Sequence, residues 1–264
     1  MIRFSTQTGK RLFPILFVLL IAANLQACAL WKKPAPQPSM PDAKGMVEKI
    51  QQDFEALGQF KGISRFSQER NGVLLSGRAA FGAAPPDRLR VDILNPFGQP
   101  VVRLAYNGKH LYMYTGAENK FRSGVATRSK MNKALGIDLA IKELAYVLAG
   151  FPPIADHSQV AIEPWSFADG TSNQGYVLTL TSFLGRMREK IWVSRDGLTV
   201  LQADIYGSGK VLYSVFPPTA GKGGKTRVLG GDGASLILER QRFWDNATVD
   251  ESQFMLNNSM VESR

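Results

Sequence analysis

The sequence predicts a mainly β domain of α+β type, a large antiparallel sheet with one apolar face and a helical cover. Three observations lead there. The stretches ERNGVLL, AYNGKHLYMY, SRDGLTV and YGSGKVLY each set an Asn-Gly, Asp-Gly or Gly-Ser pair between apolar runs, and such pairs supply the positive φ that tight two-residue hairpins require. Between the turns the chain alternates: Leu89, Val91 and Ile93 point one way while Arg88, Arg90 and Asp92 point the other, as in a sheet buried on one side. From Ser129 to Pro153 the period lengthens to that of a helix.

Taken in chain order, residues 1–27 hold Arg3, Lys10, Arg11, no acid, and then the apolar run LFPILFVLLIAA. That run is shorter than the ~20 residues of a spanning helix and is followed by small residues, so it reads as a secretory leader, with an uncleaved anchor as the alternative. Cys28 is the only cysteine of the 264 residues. An exported chain with one thiol has no internal disulfide, so the thiol is either idle or used covalently. Trp31–Pro41, WKKPAPQPSMP, is dense in proline and favours the extended form of a semi-rigid tether. Residues 28–41 are thus a linker and residues 42–264 one domain.

The domain opens with a helix: Asp42 caps it, Met46, Ile50, Phe54 and Leu57 share a face, and Gly58 stops it. In the strands that follow, Val102, Leu104 and Tyr106 continue the apolar face of Leu89, Val91 and Ile93, and Leu178, Leu180, Ile191 and Val193 extend it later. The helical cover starts with Ser129 as its cap, breaks at Gly136 and restarts at Asp138. It then sets Ile141, Leu144, Ala145 and Leu148 at helical spacing before Gly150 and two prolines end it. Leu139 and Val147 add apolar surface outside that stripe. Pro217–Gly233, rich in Gly and Lys, reads as a loop, and the tail from Asn257 has little to pack.

Charge and motifs narrow the function. The chain carries 32 basic and 22 acidic residues, a formal +10; without the leader's three basic residues it is +7. That excess suits an acidic membrane face, or simply solubility, and nucleic acid is not expected as a partner of an exported chain. TAGKGGKT, Thr219–Thr226, lacks the first Gly of a phosphate loop and lies between strand segments rather than before a helix. His110 and His157 have no metal-ligand partners at zinc spacing. No GxSxG elbow frames a serine, Ser76 and Ser208 included. The expectation is a non-enzymatic binding or transport protein without metal or cofactor.

One stretch is unusual. In ILNPFGQPVVRL a bulky Phe97 sits on a turn between two prolines, where polar or small residues are the rule. The ring either projects from the turn or folds back on the sheet edge.

LQAC, Leu25–Cys28, resembles the bacterial lipobox, with Gln26 in place of the usual small residue. The resemblance implies diacylglyceryl transfer to Cys28, cleavage before it and N-acylation, an effectively permanent anchor. Ala29, rather than the Asp that retains enteric lipoproteins at the inner membrane, points to the outer membrane. The order of elements from about Asp42 to Phe254, with LNPFG, NGKHLYMY and LGIDLAIKELAYVLAGFPP, resembles the LolA/LolB family, which pairs a soluble periplasmic lipoprotein carrier with an anchored outer-membrane receptor.

The lipobox and the LNPFG turn resemble the receptor branch. The resemblance implies a strongly curved, incomplete antiparallel β-barrel covered by helices and enclosing an acyl-binding cavity. Leu89, Val91, Ile93, Val102, Leu104 and Tyr106 would line that cavity, and Leu135, Ile141, Leu144, Val147 and Leu148 would form its lid. It also implies a membrane-inserting turn of Asn95, Pro96, Phe97 and Gly98. The protein would be a monomer on the periplasmic face of the outer membrane, accepting lipoproteins from a periplasmic carrier. An anchored envelope protein of the same fold that binds another lipid or a protein is the alternative. Pro217–Gly233 departs from the family pattern.

Overall fold

The computed structural model describes residues 40–166, 174–197, 199–218 and 224–256. The leader, Cys28, almost all of the tether, most of the TAGKGGKT stretch and the tail from Asn257 lie outside them. Helix α1 (Ala43–Glu55) begins where Asp42 accepts a hydrogen bond from the Lys44 N–H, and buries Val47, Ile50 and Phe54. Thirteen strands follow among the described residues: β1 (Phe60–Arg70), β2 (Val73–Ala84), β3 (Arg88–Leu94), β4 (Pro100–Asn107), β5 (His110–Thr115), β6 (Lys120–Val125), β7 (Gln159–Ser166), β8 (Gln174–Thr181), β9 (Met187–Ser194), β10 (Val200–Gly207), β11 (Lys210–Phe216), β12 (Lys225–Gly230) and β13 (Ser235–Trp244).

They form one antiparallel sheet in the order β6-β5-β4-β3-β2-β1-β13-β12-β11-β10-β9-β8-β7. The first and last strands of the domain pair at its middle, Lys61 opposite Trp244 and Glu69 opposite Ser235. The two edges, β6 and β7, are consecutive in the chain. The segment between them carries α2 (Arg128–Leu135) and α3 (Ile141–Ala149), so the helices are inserted where the sheet stays open.

The four hairpins expected from Asn-Gly, Asp-Gly and Gly-Ser pairs are present. Asn71-Gly72 and Ser208-Gly209 both have positive φ at both positions, the geometry whose twist matches that of the flanking strands. Three expectations differ from the structure. The cap of α2 is Thr127, whose hydroxyl accepts from the Lys130 N–H, and not Ser129. The cap of α3 is Ala140, whose N–H donates to Glu143 at 2.7 Å, so the restart comes two residues after Asp138. The segment read as a loop contains β12, with Thr226 and Val228 buried and pairing on both sides, to β11 and β13.

The core is not uniform along the barrel. Where β1 begins, Phe54 stacks on Tyr146 of α3 with ring centroids 3.7 Å apart, and Phe60, Phe81, Phe151 and Phe243 surround them. Aromatic rings fill that end densely. Toward the other end of the strands the side chains are mostly aliphatic and the packing opens.

Candidate functional site

At that end lies an apolar cavity of about 130 Å³. Its wall is sheet on one side, with Phe66, Ala79, Val91, Ile93, Val102 and Leu104, and helix on the other, with Ala134, Leu135, Leu144 and Leu148. Alternation explains the set: on adjacent strands Val91 pairs with Leu104 and Ile93 with Val102, so all four point to one face. Of the residues expected to line or cover an acyl site, Val91, Ile93, Val102, Leu104, Leu135, Leu144 and Leu148 surround the cavity. Leu89, Tyr106 and Ile141 share those faces and Val147 lies beside the helical stripe, but all four are buried in the packed core, and the Tyr106 hydroxyl donates to the Gly108 carbonyl at 2.7 Å.

The cavity opens at one rim. Leu75 belongs to its lining and yet is 56% exposed, and it pairs with Gln68 near the β1–β2 turn. The strand registers bring the turns β1–β2, β3–β4, β5–β6, β8–β9, β10–β11 and β12–β13 to this same end. The β3–β4 turn is the one that carries Phe97. Its ring is 89% exposed, so it projects and does not fold back on the sheet. Asn95 builds the turn: its side-chain oxygen accepts from the N–H groups of Phe97 and Gln99, and the Gly98 N–H donates to the Asn95 carbonyl. Gly98 has φ +82°, which a residue with a Cβ adopts only with strain.

No protein-family model matches the sequence, and no curated protein matches it. Solved structures do match in fold. A DUF1329 family protein from Desulfovibrio piger has a TM-score of 0.58 at 15% identity, over 83% of this chain and 98% of that one. A LolA superfamily protein from Nitrosomonas europaea has a TM-score of 0.55 at 14% identity, over 82% and 99%. A putative outer membrane lipoprotein-sorting protein domain from Vibrio parahaemolyticus has a TM-score of 0.54 at 11% identity, over 83% and 99%. The chain shares the fold of these three proteins. At these identities the likeness is one of architecture: the incomplete, curved antiparallel barrel with few helices.

Within this fold the helical cover is held, among the described residues, by few polar contacts. Gln68 of β1 donates to the Leu135 carbonyl at the end of α2, and Arg240 of β13 donates to the Ala149 carbonyl at the end of α3. Both satisfy carbonyls that a helix end leaves without partners. Burial lowers the pKa of Arg240, and its guanidinium also lies 4.3 Å from the centroid of the Phe243 ring. Arg128 of α2 pairs with Glu143 of α3 and donates to the Asp138 carbonyl at 2.8 Å. Burial works against the Arg128 charge, but Glu143 outweighs it and holds the pKa up.

Below the helices Glu189 of β9 is fully buried and accepts from the Ala155 N–H at 2.7 Å. Burial pushes its carboxyl well above the ordinary range, against the lowering effect of that hydrogen bond. Among the described residues no cluster of three His, Cys, Asp or Glu side chains is placed to hold a metal ion. His157 Nδ1 lies 2.9 Å from the Ala155 carbonyl, a local contact.

Proposed function

We propose that this protein is an outer-membrane-anchored receptor for lipoproteins: it takes the acyl chains of a lipoprotein from a periplasmic carrier and releases them into the outer membrane. One observation carries the reading. The apolar cavity between sheet and helices has its mouth at the rim where Phe97 projects. An apolar space and an exposed aromatic ring therefore lie at one end of one molecule, which supports the reading of one as a site for acyl chains and the other as a probe for a bilayer. Anchoring through Cys28 would hold the protein at the membrane.

The mechanism needs no bond cleavage. Cargo moves to whichever site hides its acyl chains better, and the free energy comes from apolar surface removed from water. At about 130 Å³ the cavity is below the ~300–1,000 Å³ of typical ligand pockets, so acyl chains need more room than it offers. Loading requires α2 and α3 to shift, and the few polar contacts at their ends are what that shift breaks. In delivery, Phe97 enters the interface and gives the chains an apolar path out of the mouth.

The test is transfer: mix the protein with a carrier loaded with an acylated lipoprotein, then add liposomes. Cargo should move first to the protein and then to the lipid. If cargo stays on the carrier while a free fatty-acyl probe enters the cavity, the protein binds some other lipid and is not a lipoprotein receptor.

A further inference from the structure

The β8–β9 turn repeats the construction of the Phe97 turn. In Asn95-Pro96-Phe97-Gly98-Gln99 the Asn95 N–H donates to the Gln99 carbonyl and the Gly98 N–H to the Asn95 carbonyl. The Asn95 side-chain oxygen also accepts from the Gln99 N–H. In Ser182-Phe183-Leu184-Gly185-Arg186 the Ser182 N–H donates to the Arg186 carbonyl and the Gly185 N–H to the Ser182 carbonyl, while the Ser182 hydroxyl accepts from the Arg186 N–H at 3.3 Å. Gly185 has φ +69°, as Gly98 has +82°. Each turn lifts an apolar residue directly before its glycine, and in the second turn there are two, Phe183 at 89% and Leu184 at 74% exposure.

The two turns stand at the same end of the sheet but on opposite sides of the central β1–β13 pair. Of the twelve exposed large apolar residues among the described residues, eight belong to this end: Val73, Leu74, Leu75, Phe97, Val101, Phe183, Leu184 and Met187. Singly exposed apolar residues need no explanation, but a concentration at one rim marks an interaction surface. Its charge identifies the partner. Arg186 and Arg188 follow the second tip directly, both exposed, with no acid from Phe183 to Arg188 and no ion-pair partner among the described residues. Arg78 lies beside Gly98 in the first. Apolar tips backed by unpaired arginines match a bilayer with anionic headgroups, where the rings enter the interface and the guanidiniums meet phosphates.

We propose that Phe183 and Leu184 form a second membrane-inserting tip, so that the rim docks on an anionic bilayer at two points with the cavity mouth between them. One tip would leave the molecule free to tilt; two fix how the mouth meets the lipid. This docking extends the reading of Phe97 but does not require that the cargo be a lipoprotein.

The test uses the full chain carrying Leu184→Cys labelled with bimane, with the labelled unsubstituted chain giving the contribution of Cys28. Vesicles of phosphatidylethanolamine, with or without phosphatidylglycerol, carry nitroxide groups on their acyl chains. Quenching at position 184 should exceed, severalfold, that of a Lys109→Cys label on the β4–β5 turn at the opposite end. Phosphatidylglycerol should increase it, and Arg186→Glu with Arg188→Glu should remove that increase.

Quenching at 184 no greater than at 109 overturns the proposal, and if a Phe97→Cys label is quenched in the same vesicles the single-tip reading survives alone. An emission shift that follows protein concentration rather than lipid overturns it in favour of contact between copies. Insensitivity to phosphatidylglycerol overturns the assignment to anionic lipid. Quenching at 184 in a protein that fails to transfer cargo upholds the docking and removes the receptor reading instead.

Discussion

A phenylalanine that is 89% exposed contributes little to folding, so its replacement separates stability from function. Phe97→Glu should cost less than about 0.5 kcal/mol in denaturant unfolding, as for surface changes in general, and cargo capture should persist. Delivery to liposomes should fail, because a charge resists entering the interface; normal delivery by the stable variant would remove the role given to the ring. Glu189 is the opposite case, a carboxyl buried where its charge is disfavoured. Its pKa is pushed well above the ordinary 4.5, so the folded protein keeps a proton that the unfolded chain has lost. The stability this contributes is complete below about 4.5 and is lost as the pH rises from there toward the folded value. Glu189→Gln retains an oxygen for the Ala155 N–H and has no proton to lose. Its melting temperature should exceed that of the parent by a margin that widens above pH 4.5 and closes below it. A margin equal at acid and alkaline pH would show that ionisation is not the cause. Sequence made Phe97 conspicuous because a bulky ring between two prolines breaks a local rule, whereas Glu189 alternates with Ile191 and Val193 on the inward face, and only the fold shows that its carboxyl is fully buried there.

At the scale of elements, the hairpins were legible because positive φ restricts residue choice, and α2 and α3 were legible from Gly136 and Gly150, which take φ +69° and +80° at the helix ends. Strand β12 was not. Its own residues, KTRVLG, show weak alternation, and it is a strand because β11 and β13 supply partners on both sides. The cavity was legible in face but not in depth: period-two alternation places Leu89 beside Val91 and Ile93, yet only the position along the barrel decides which of them meets a ring and which meets empty space. The second tip was less legible: Ser-Phe-Leu-Gly repeats the Asn-Pro-Phe-Gly pattern, but without a proline to preset φ the sequence does not single it out as a turn. Leu104→Glu, at a cavity wall position 5% exposed, should abolish uptake of an environment-sensitive fatty-acyl probe, since an isolated charge in an apolar site is strongly penalised; a variant that is folded and still takes up the probe would move the acyl site elsewhere. Arg240→Ala removes the hydrogen bond to the Ala149 carbonyl and the contact with Phe243. It should cost about 1–3 kcal/mol, as for a charged hydrogen bond, and should speed probe entry. Slower or unchanged entry would mean that α3 does not move in loading.

For the whole molecule, the position of the opening in the sheet determines what can move. The middle pairs are long: β1 spans Phe60–Arg70 and pairs along its length with both β2 and β13, so displacing it would break two ladders at once. Helices α2 and α3, of eight and nine residues, are too short to be stable alone and depend on what they cover. They bridge the two edges, β6 and β7, where each strand has one neighbour, and their polar ties to the sheet include Gln68 and Arg240 at the helix ends. If the cavity of about 130 Å³ is to grow, the helical cover rather than the doubly paired central strands is therefore the part expected to lift. Loading with a fatty-acyl probe should then raise amide hydrogen exchange across Arg128–Leu135 and Ile141–Ala149, because the helices lose contacts to the sheet as the chain takes their place. Exchange in β1, β2 and β13 should be unchanged. An acyl chain that filled a preformed space would do the reverse, adding contacts to the helices and slowing their exchange. Protection of α2 and α3 on loading, measured by mass spectrometry on the same peptides, would therefore exclude the moving cover and leave Phe97 and its rim as the only mobile contribution to delivery.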